Sequence, residues 1–269
     1  MITRALQDMS LVIAGHGERG GARTNSTLIA HAAAVRQLVD SRCVTWGVLK
    51  GEQSLEEALA EAHAAEARHI LVYPFFMADG YFVGTVLPDR IRMAGLDDVC
   101  RILTPLGLES RLPALMLAES LRATRAAGLD ARTTRLLVAG HGSKFGPASA
   151  RATRRAAAAV ARACHFAHID TAFLEEAPFL AAKLESKPSP TVVSGFFSGE
   201  GLHAAEDVPR LIRNSTANAI YAGPIGRSPS IPELILAAAT RCLAAKSELP
   251  AARAAGLAKP AVAVGAKSR

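Results

Sequence analysis

Several features that would assign this chain of 269 residues to a particular class are scarce or missing. It has no charge-free run of about 18 apolar residues, which argues against a transmembrane helix. Its N-terminal sequence lacks the apolar stretch of a secretory signal, so a cytoplasmic protein is expected. Aromatic residues make up only 5% of the chain and are not interleaved with basic ones, which disfavours nucleic-acid binding.

The cysteines and glycines also exclude several classes of site. The cysteines form no C-x-x-C pair and lie far apart, at Cys43, Cys100, Cys164 and Cys242. This spacing argues against a disulfide framework, a zinc ribbon and a sequence-local iron–sulfur motif, so we expect free thiols in a reducing compartment. A G-x-x-x-x-G-K-[ST] motif is absent as well, and a nucleoside triphosphate site is therefore not expected.

What is present fits a folded protein with a polyanionic partner. Half of the residues are hydrophobic, 20% are charged, and the net charge is +7. Part of this charge lies after Pro250 in a stretch without acidic residues, and we expect the segment 248–269 to be a disordered basic tail. The rest of the chain is only mildly basic, which suits a small polyanionic substrate.

An internal repeat of nearly half the chain length organises the sequence. The repeated blocks keep one order in both halves: Ser10–Gly17 with Arg135–Gly142, Val44–Lys50 with Ile169–Glu175, Ile70–Phe82 with Thr191–His203, and Thr104–Gly107 with Gly223–Gly226. A repeat of this length indicates a duplicated domain rather than a solenoid. We expect a lobe at 1–125 and a similar lobe at 126–247, with a connection near Ala126–Thr133.

Within each half, predicted strands alternate with predicted helices. Four short apolar runs of the first half predict buried strands: Leu11–Ala14, Val44–Leu49, Ile70–Phe75 and Val99–Leu103. Helical spacing relates Leu28, Val35, Leu38 and Val39, Ser54 and Glu57 form a capping box, and Pro113 and Pro232 each open a helix. Alternating strands and helices favour an α/β fold with a parallel sheet in each lobe, flanked by helices.

Three polar residues of the second half follow three predicted strands. His141 lies after the first strand, Glu175 at the end of the strand Ile169–Leu174, and His203 after the strand Thr191–Phe196. The carboxyl ends of parallel strands share one edge of a sheet, where ligands bind. Two imidazoles and a carboxylate suit a divalent first-row metal, and the carboxylate could equally accept protons.

The first half has a different set of residues at the same positions. His16 matches His141, but Lys50 replaces Glu175 and Phe82 replaces His203. Neither an ammonium group nor a phenyl ring ligates a cation. We therefore expect one working site, in the second half, with His16 either structural or on the far wall of a cleft. No role is expected for the remaining histidines, His31, His63, His69, His165 and His168.

These motifs together resemble the class II tetrapyrrole chelatases, specifically the CbiX-like sirohydrochlorin chelatases. The resemblance covers roughly residues 10–245 and rests on an ordered set of motifs: V-A-G-H-G-S at Val138–Ser143, F-L-E at Phe173–Glu175 with Pro178, then Phe196, Phe197, Gly201, His203 and D-V-P at Asp207–Pro209. The intact motif set lies in the second half, as in related two-lobed cobalt and iron chelatases.

The resemblance implies a two-lobed chelatase fold with a tetrapyrrole between the lobes. It implies ATP-independent insertion of Co²⁺ or Fe²⁺ into sirohydrochlorin for cobalamin or sirohaem synthesis, with the metal as substrate and no tightly bound cofactor. His141, Glu175 and His203 would be the metal-binding and catalytic residues. Substrate contacts would come from His16, Ser143, Lys144, Phe197 and Gly201, and the basic residues Lys144, Arg210 and Arg213 lie beside these motifs.

Two other functions remain open at this point. A non-catalytic tetrapyrrole or metal carrier could retain the fold, because the first half shows that a site can be lost. A periplasmic-type ligand-binding module could also have two α/β lobes, although no signal peptide is seen. In all three cases the expected partners are small molecules and metal ions, with no nucleic acid and no membrane.

Overall fold

A computed structural model of the protein describes residues 2–17, 25–163, 165–186, 189–201 and 203–247. The predicted tail at 248–269 and Cys164 lie outside these residues. The chain forms two four-stranded sheets, and every strand pairing is parallel. The predicted α/β fold with two similar lobes is therefore confirmed. None of the helices in the described ranges combines the length and apolar character needed to cross a membrane.

The first lobe contains a sheet with the strand order β2-β1-β3-β4. Its strands are β1 (Met9–Gly15), β2 (Cys43–Val48), β3 (His69–Pro74) and β4 (Cys100–Ile102). Its helices are α1 (Ile2–Gln7), α2 (Ser26–Leu38), α3 (Leu55–Ala64), α4 (Leu87–Met93) and α5 (Leu112–Ala126).

The second lobe repeats this topology, with the strand order β6-β5-β7-β8. Its strands are β5 (Arg135–Gly140), β6 (His168–Phe173), β7 (Thr191–Phe196) and β8 (Ala219–Pro224). Its helices are α6 (Ala148–Ala161), α7 (Leu180–Glu185), α8 (Val208–Asn214) and α9 (Ile231–Ser247). The identical strand orders confirm the duplication that the sequence predicts.

Local sequence explains where these elements begin. β1, β5 and β7 are buried along their whole length, as expected for parallel strands covered on both faces. At the start of α3, the Glu57 amide donates to Ser54 Oγ at 3.2 Å, and the Ser54 amide donates to Glu57 Oε2 at 2.7 Å, which is the predicted capping box. Pro113 and Pro232 lie in the first turns of α5 and α9, as predicted.

The last helix of each lobe packs against the opposite lobe. α5 contacts α6, β7 and β8, and α9 contacts α1 and α2. The apolar residues of both helices belong to one buried cluster that also contains residues of β1 and β5. The lobes therefore share a core instead of merely touching, and the two sheets keep a fixed relation to each other.

Polar contacts reinforce this shared core. His31 Nε2 lies 2.6 Å from the Gly226 carbonyl oxygen, so a histidine for which no role was expected joins the lobes. Arg241 donates to Glu109 at 2.5 Å, and Glu109 is only 2% exposed. Burial raises the pKa of the Glu109 carboxyl, although the Arg241 guanidinium opposes that shift.

Element boundaries differ slightly from the sequence expectation. β2 and β3 begin and end one residue earlier than predicted, β4 is shorter at both ends, and β6 covers 168–173 rather than 169–174. α2 ends at Leu38, which is 52% exposed, and Val39 follows it in extended backbone, so the predicted apolar spacing continues one residue beyond the helix. α5 continues to Ala126 and a 3₁₀ turn forms at Ala131–Thr133, so the non-helical connection is restricted to 127–130.

Candidate metal centre

The three predicted ligands meet at the carboxyl edge of the second sheet. His141 directly follows β5, Glu175 lies two residues beyond β6, and His203 begins a π-helix, His203–Asp207, after β7. One potential ligand atom from each of these residues lies within 4.8 Å of the other two. First-row metal ions form bonds of about 2.0–2.2 Å to imidazole nitrogen and carboxylate oxygen, so small side-chain adjustments would let one ion reach all three.

The glycine after His141 is required by the geometry of the loop. Gly142 has a φ of +74°, in the left-handed region. A Cβ atom there would lie 2.9 Å from Glu176 Cγ and 3.0 Å from Phe173 Cβ. Glycine alone combines this backbone conformation with so close an approach, and it lets the His141 loop pack against the residues that follow β6.

Hydrogen bonds orient both imidazoles. His141 Nδ1 lies 2.9 Å from the Gly142 carbonyl oxygen, and His203 Nδ1 lies 2.8 Å from Asp207 Oδ2. Because both partners accept hydrogen bonds, Nδ1 carries the proton in each ring and Nε2 keeps its lone pair for a metal. The two rings meet edge to face, with centroids 4.5 Å apart.

Asp207 supports the site in a way that sequence reasoning did not identify. Its Oδ2 holds His203, while its Oδ1 accepts a hydrogen bond from Arg210 at 2.6 Å. Arg210 was considered only as a charge near the motifs, whereas it fixes this carboxylate. The usable signal was the four-residue spacing from His203 to Asp207, which brings the two side chains together on a helical turn.

The two neighbouring glutamates have different surroundings. Glu175 Oε1 lies 4.0 Å from His141 Nε2, whereas Glu176 Oε1 accepts a hydrogen bond from the Ser143 amide at 3.0 Å. Glu175 is thus the residue available to a metal or proton, and Glu176 anchors the His141 loop. Strand alternation does not separate the two residues, because both lie beyond the end of β6, so loop packing is the reason.

The first lobe preserves the backbone of the site with different side chains. The Lys50 amide donates to the His16 carbonyl oxygen at 3.0 Å, just as the Glu175 amide donates to that of His141. Phe82 begins a π-helix, as His203 does, and its ring lies edge to face with His16 at 4.7 Å. The predicted replacement of two ligands therefore holds in three dimensions.

Two cavities adjoin the site and are lined by both lobes. We call the first, of about 410 Å³, the inner cavity; His203, Phe197 and Gly201 line it. The second, of about 660 Å³, is the aromatic cavity, and its lining includes Phe76, Tyr81, Phe82 and Phe145. Four residues line both cavities: His16, Met77, His141 and Ser149. His16 thus lies on the cleft opposite His141, as one of our two expectations for it stated.

The structure places the predicted substrate residues around these cavities. His16, Phe197 and Gly201 line the inner cavity, and Ser143 lines the aromatic cavity. Lys144 is exposed between two residues that line the aromatic cavity, Ser143 and Phe145. These positions fit a ligand in the cleft, and the contacts of each residue with a substrate remain predictions.

The described cysteines are free thiols. Burial raises the pKa of the Cys100 thiol to about 11, and burial together with the nearby Glu61 raises that of Cys43. Both therefore stay protonated near neutral pH.

Comparison with known proteins identifies the relatives of this fold. The CbiX family model matches residues 10–123 and again residues 135–242. The solved structure of CbiX, described as the terminal enzyme for biosynthesis of siroheme in denitrifying bacteria, is 32% identical, with a TM-score of 0.73. The match covers 89% of this chain and 99% of that one. A comparison with curated proteins gives no match.

More distant structures share the fold. SirB from Bacillus subtilis, solved with Fe³⁺, is 19% identical with a TM-score of 0.71, over 89% of this chain and 97% of that one. DR2241 from Deinococcus radiodurans, a multi-domain protein with structural similarity to chelatases, is 23% identical with a TM-score of 0.71. Its match covers 86% of this chain and 54% of that one.

Proposed function

The chain belongs to the CbiX family, and from this premise we propose that it is a metal chelatase that inserts Co²⁺ or Fe²⁺ into sirohydrochlorin. The observation that carries the proposal is the cluster of His141, Glu175 and His203 at the wall of a cleft between the lobes. The family relative at 32% identity acts in siroheme biosynthesis, which supports a tetrapyrrole substrate.

The geometry suits the first step, capture of the metal. The Nε2 atoms of His141 and His203 are the ring nitrogens left for a metal because both Nδ1 atoms are engaged in hydrogen bonds. Two neutral imidazoles and one carboxylate leave coordination positions open on a divalent ion. Those positions can be taken by water and then by nitrogens of the macrocycle. The metal is a substrate here, so the protein must bind it weakly enough to release it to the macrocycle.

The second step is the exchange of protons for metal. Insertion of a divalent ion displaces two pyrrole N–H protons, and the new metal–nitrogen bonds use the electron pairs left behind. Glu175, 4.0 Å from His141 Nε2, is placed to accept the two protons one after the other as the ion leaves the histidines. Its side chain is partly exposed, so each proton can pass on to solvent. No nucleotide is consumed in this scheme.

Partners follow from this reaction: a tetrapyrrole, a divalent metal ion, and no nucleic acid. The expected cytoplasmic location stays a prediction. The non-catalytic carrier remains the alternative function, and it differs from the chelatase in one measurable respect. A carrier binds sirohydrochlorin or the metal without accelerating their combination.

A steady-state insertion assay tests the proposal. Purified protein is mixed anaerobically with sirohydrochlorin and Co²⁺ or Fe²⁺ in turn, with Ni²⁺ and Zn²⁺ for comparison, and the absorbance change of the macrocycle is followed. We expect insertion well above the uncatalysed rate with Co²⁺ or Fe²⁺. Binding of sirohydrochlorin with no acceleration for any of the metals would support the carrier instead.

A further inference from the structure

Aromatic residues are concentrated at one place in a chain that has few of them. The chain contains nine phenylalanines and three tyrosines. Phe76, Phe82 and Phe145 line the aromatic cavity together with Tyr81. Both His16 and His141 also line it, so this aromatic surface is continuous with the candidate metal centre.

Two of these rings lie exposed on opposite lobes. Tyr81 is 70% exposed and Phe145 is 98% exposed. Their loops approach each other across the cleft, because a Cβ on Gly80 would lie 3.7 Å from Ala148 Cβ. Keeping large aromatic side chains in water forgoes the free energy of burying them, and such apolar exposure beside a polar site is typical of ligand-binding surfaces.

Both rings project from anchored segments. The Phe145 amide donates to Ser143 Oγ at 3.1 Å, and the Ser143 amide donates to Glu176 at 3.0 Å, so the backbone that carries Phe145 is fixed to the metal-site loop. Tyr81 lies 5.8 Å, centroid to centroid, from Phe82, and Phe82 contacts His16. Each exposed ring therefore projects from a backbone segment tied to the surroundings of a cleft histidine.

The two cavities differ in the chemistry of their linings. His203, a candidate metal ligand, lines the inner cavity beside Phe75, Phe196 and Phe197, whereas the aromatic cavity has four other aromatic rings, two of them exposed, and the small residues of the 146–149 segment. His141 lines both cavities and so lies between them. A flat conjugated ring fits the side with the exposed aromatic rings, and a metal ion on the inner side would meet the second imidazole, His203.

We propose that Tyr81 and Phe145 are positioning residues that hold the tetrapyrrole ring in the aromatic cavity by aromatic stacking, while the metal reaches His141 from the inner cavity. This inference rests on the proposed function, since it takes sirohydrochlorin as the ligand. Offset or edge-to-face contacts with a conjugated ring require an aromatic side chain, because an aliphatic one lacks the charge distribution of a π-system.

The test separates binding of the ring from binding of the metal. Metal-free sirohydrochlorin is titrated into Tyr81→Ala, Phe145→Ala and the double variant, with the absorbance of the macrocycle as readout. Metal affinity is measured separately without tetrapyrrole. We expect each single change to raise the Kd and KM for sirohydrochlorin about 2- to 10-fold, and the double change by about the product. The Kd for the metal should stay within about twofold of wild type.

Conservative variants and a matched control test whether the aromatic character matters. Tyr81→Phe and Phe145→Tyr should bind sirohydrochlorin like wild type, whereas Phe145→Leu should bind it more weakly than Phe145→Tyr, because leucine keeps the apolar area but not the π-system. Phe179→Ala removes another exposed phenylalanine, 49% exposed and outside the lining of the aromatic cavity, and should change neither constant. Equal binding by the leucine and tyrosine variants at position 145 would overturn the proposal.

Failure of this inference can be distinguished from failure of the proposed function. If wild type inserts metal but the alanine variants bind sirohydrochlorin as wild type does, the positioning role is refuted and the chelatase assignment stands. If wild type binds sirohydrochlorin without accelerating insertion, and the alanine variants bind it more weakly, the positioning role stands and the chelatase assignment fails. A wild-type protein that binds no sirohydrochlorin would refute both.

Discussion

The two lobes have one topology and one loop geometry but different chemistry. In both, a histidine follows the first strand of the lobe, and its carbonyl oxygen accepts a hydrogen bond from the amide of the residue two positions beyond the neighbouring strand. In the second lobe that residue is Glu175, and in the first it is Lys50. The residue that begins the π-helix is His203 in one lobe and Phe82 in the other.

The comparison shows that side chains changed while their positions were kept. The His16–Phe82 and His141–His203 ring pairs have nearly the same edge-to-face geometry, with centroids 4.7 Å and 4.5 Å apart. Each lobe also has a five-residue π-helix at this place, which ends at Val86 in the first lobe and at Asp207 in the second. One lobe thus has the candidate ligands for a cation, and the other has Phe82 and Val86 at the positions of His203 and Asp207.

The largest effect is expected from removal of a second-lobe histidine. His141→Ala should abolish metal binding and insertion, because it deletes one of three ligands. His16→Ala should keep the metal site and raise the KM for the tetrapyrrole more than it lowers kcat. Equilibrium dialysis with Co²⁺ and steady-state kinetics measure both, and circular dichroism checks the fold. His16→Ala with no metal site would show that the metal is held across the cleft.

The next effect concerns the neighbouring carboxylates. Glu175→Gln should lower kcat by about two to four orders of magnitude, the usual range for a general acid–base group, and leave the fold intact. Glu176→Gln is the control, because its amide oxygen can still accept the hydrogen bond from Ser143. Its kcat should remain close to that of wild type. The reverse ranking of the two variants would reassign the proton acceptor to Glu176.

A smaller effect is expected from a change at Asp207, the residue that accepts a hydrogen bond from His203. Asp207→Asn should weaken metal binding about 10- to 100-fold, the usual range for the hydrogen-bond partner of a ligand. Asp89→Asn is a matched control: Asp89 pairs with Arg92 at 2.7 Å with the same three-residue spacing as Asp207 with Arg210, but in the first lobe. Metal titration of both variants compares them. Equal affinities would mean that His203 needs no carboxylate to orient it.

The weakest expected effect is the gain of a second metal site, and it tests whether side chains alone account for the difference in metal binding between the lobes. The triple variant Lys50→Glu, Phe82→His, Val86→Asp gives the first lobe the residues found at the equivalent positions of the second. We expect a second metal ion per chain, bound more weakly than the first, with little change in turnover at the original site. A stoichiometry that stays at one would mean that the backbones of the two loops differ in a way that matters.

The sequence was sufficient to predict the two parallel sheets and the proximity of the three candidate ligands. Strand positions follow from short buried apolar runs, and residues at the carboxyl ends of neighbouring parallel strands share an edge, so the proximity of His141, Glu175 and His203 could be predicted. The family resemblance then supplied a reaction. Their catalytic roles stay predictions until variants are measured.

Contacts between distant segments could not be predicted. The spacing of apolar residues shows which face of α5 or α9 is buried but not which lobe covers it. His31 looked like an ordinary helical histidine, and only the packed structure brings it to the Gly226 carbonyl oxygen. Likewise, the separate surroundings of Glu175 and Glu176 depend on a loop from another strand, which sequence spacing does not contain.

The exchange of α5 and α9 between the lobes has a consequence for how the molecule comes apart. α5 covers part of the second sheet, and α9 packs against α1 and α2 of the first lobe, so each lobe is covered in part by a helix that belongs, in chain order, to the other half. Neither half can then lose its structure without uncovering apolar surface on its neighbour, so heat or denaturant should produce a single cooperative transition. Cleavage at 127–130 should likewise leave two fragments that stay associated, because each fragment retains a helix that packs against the other fragment.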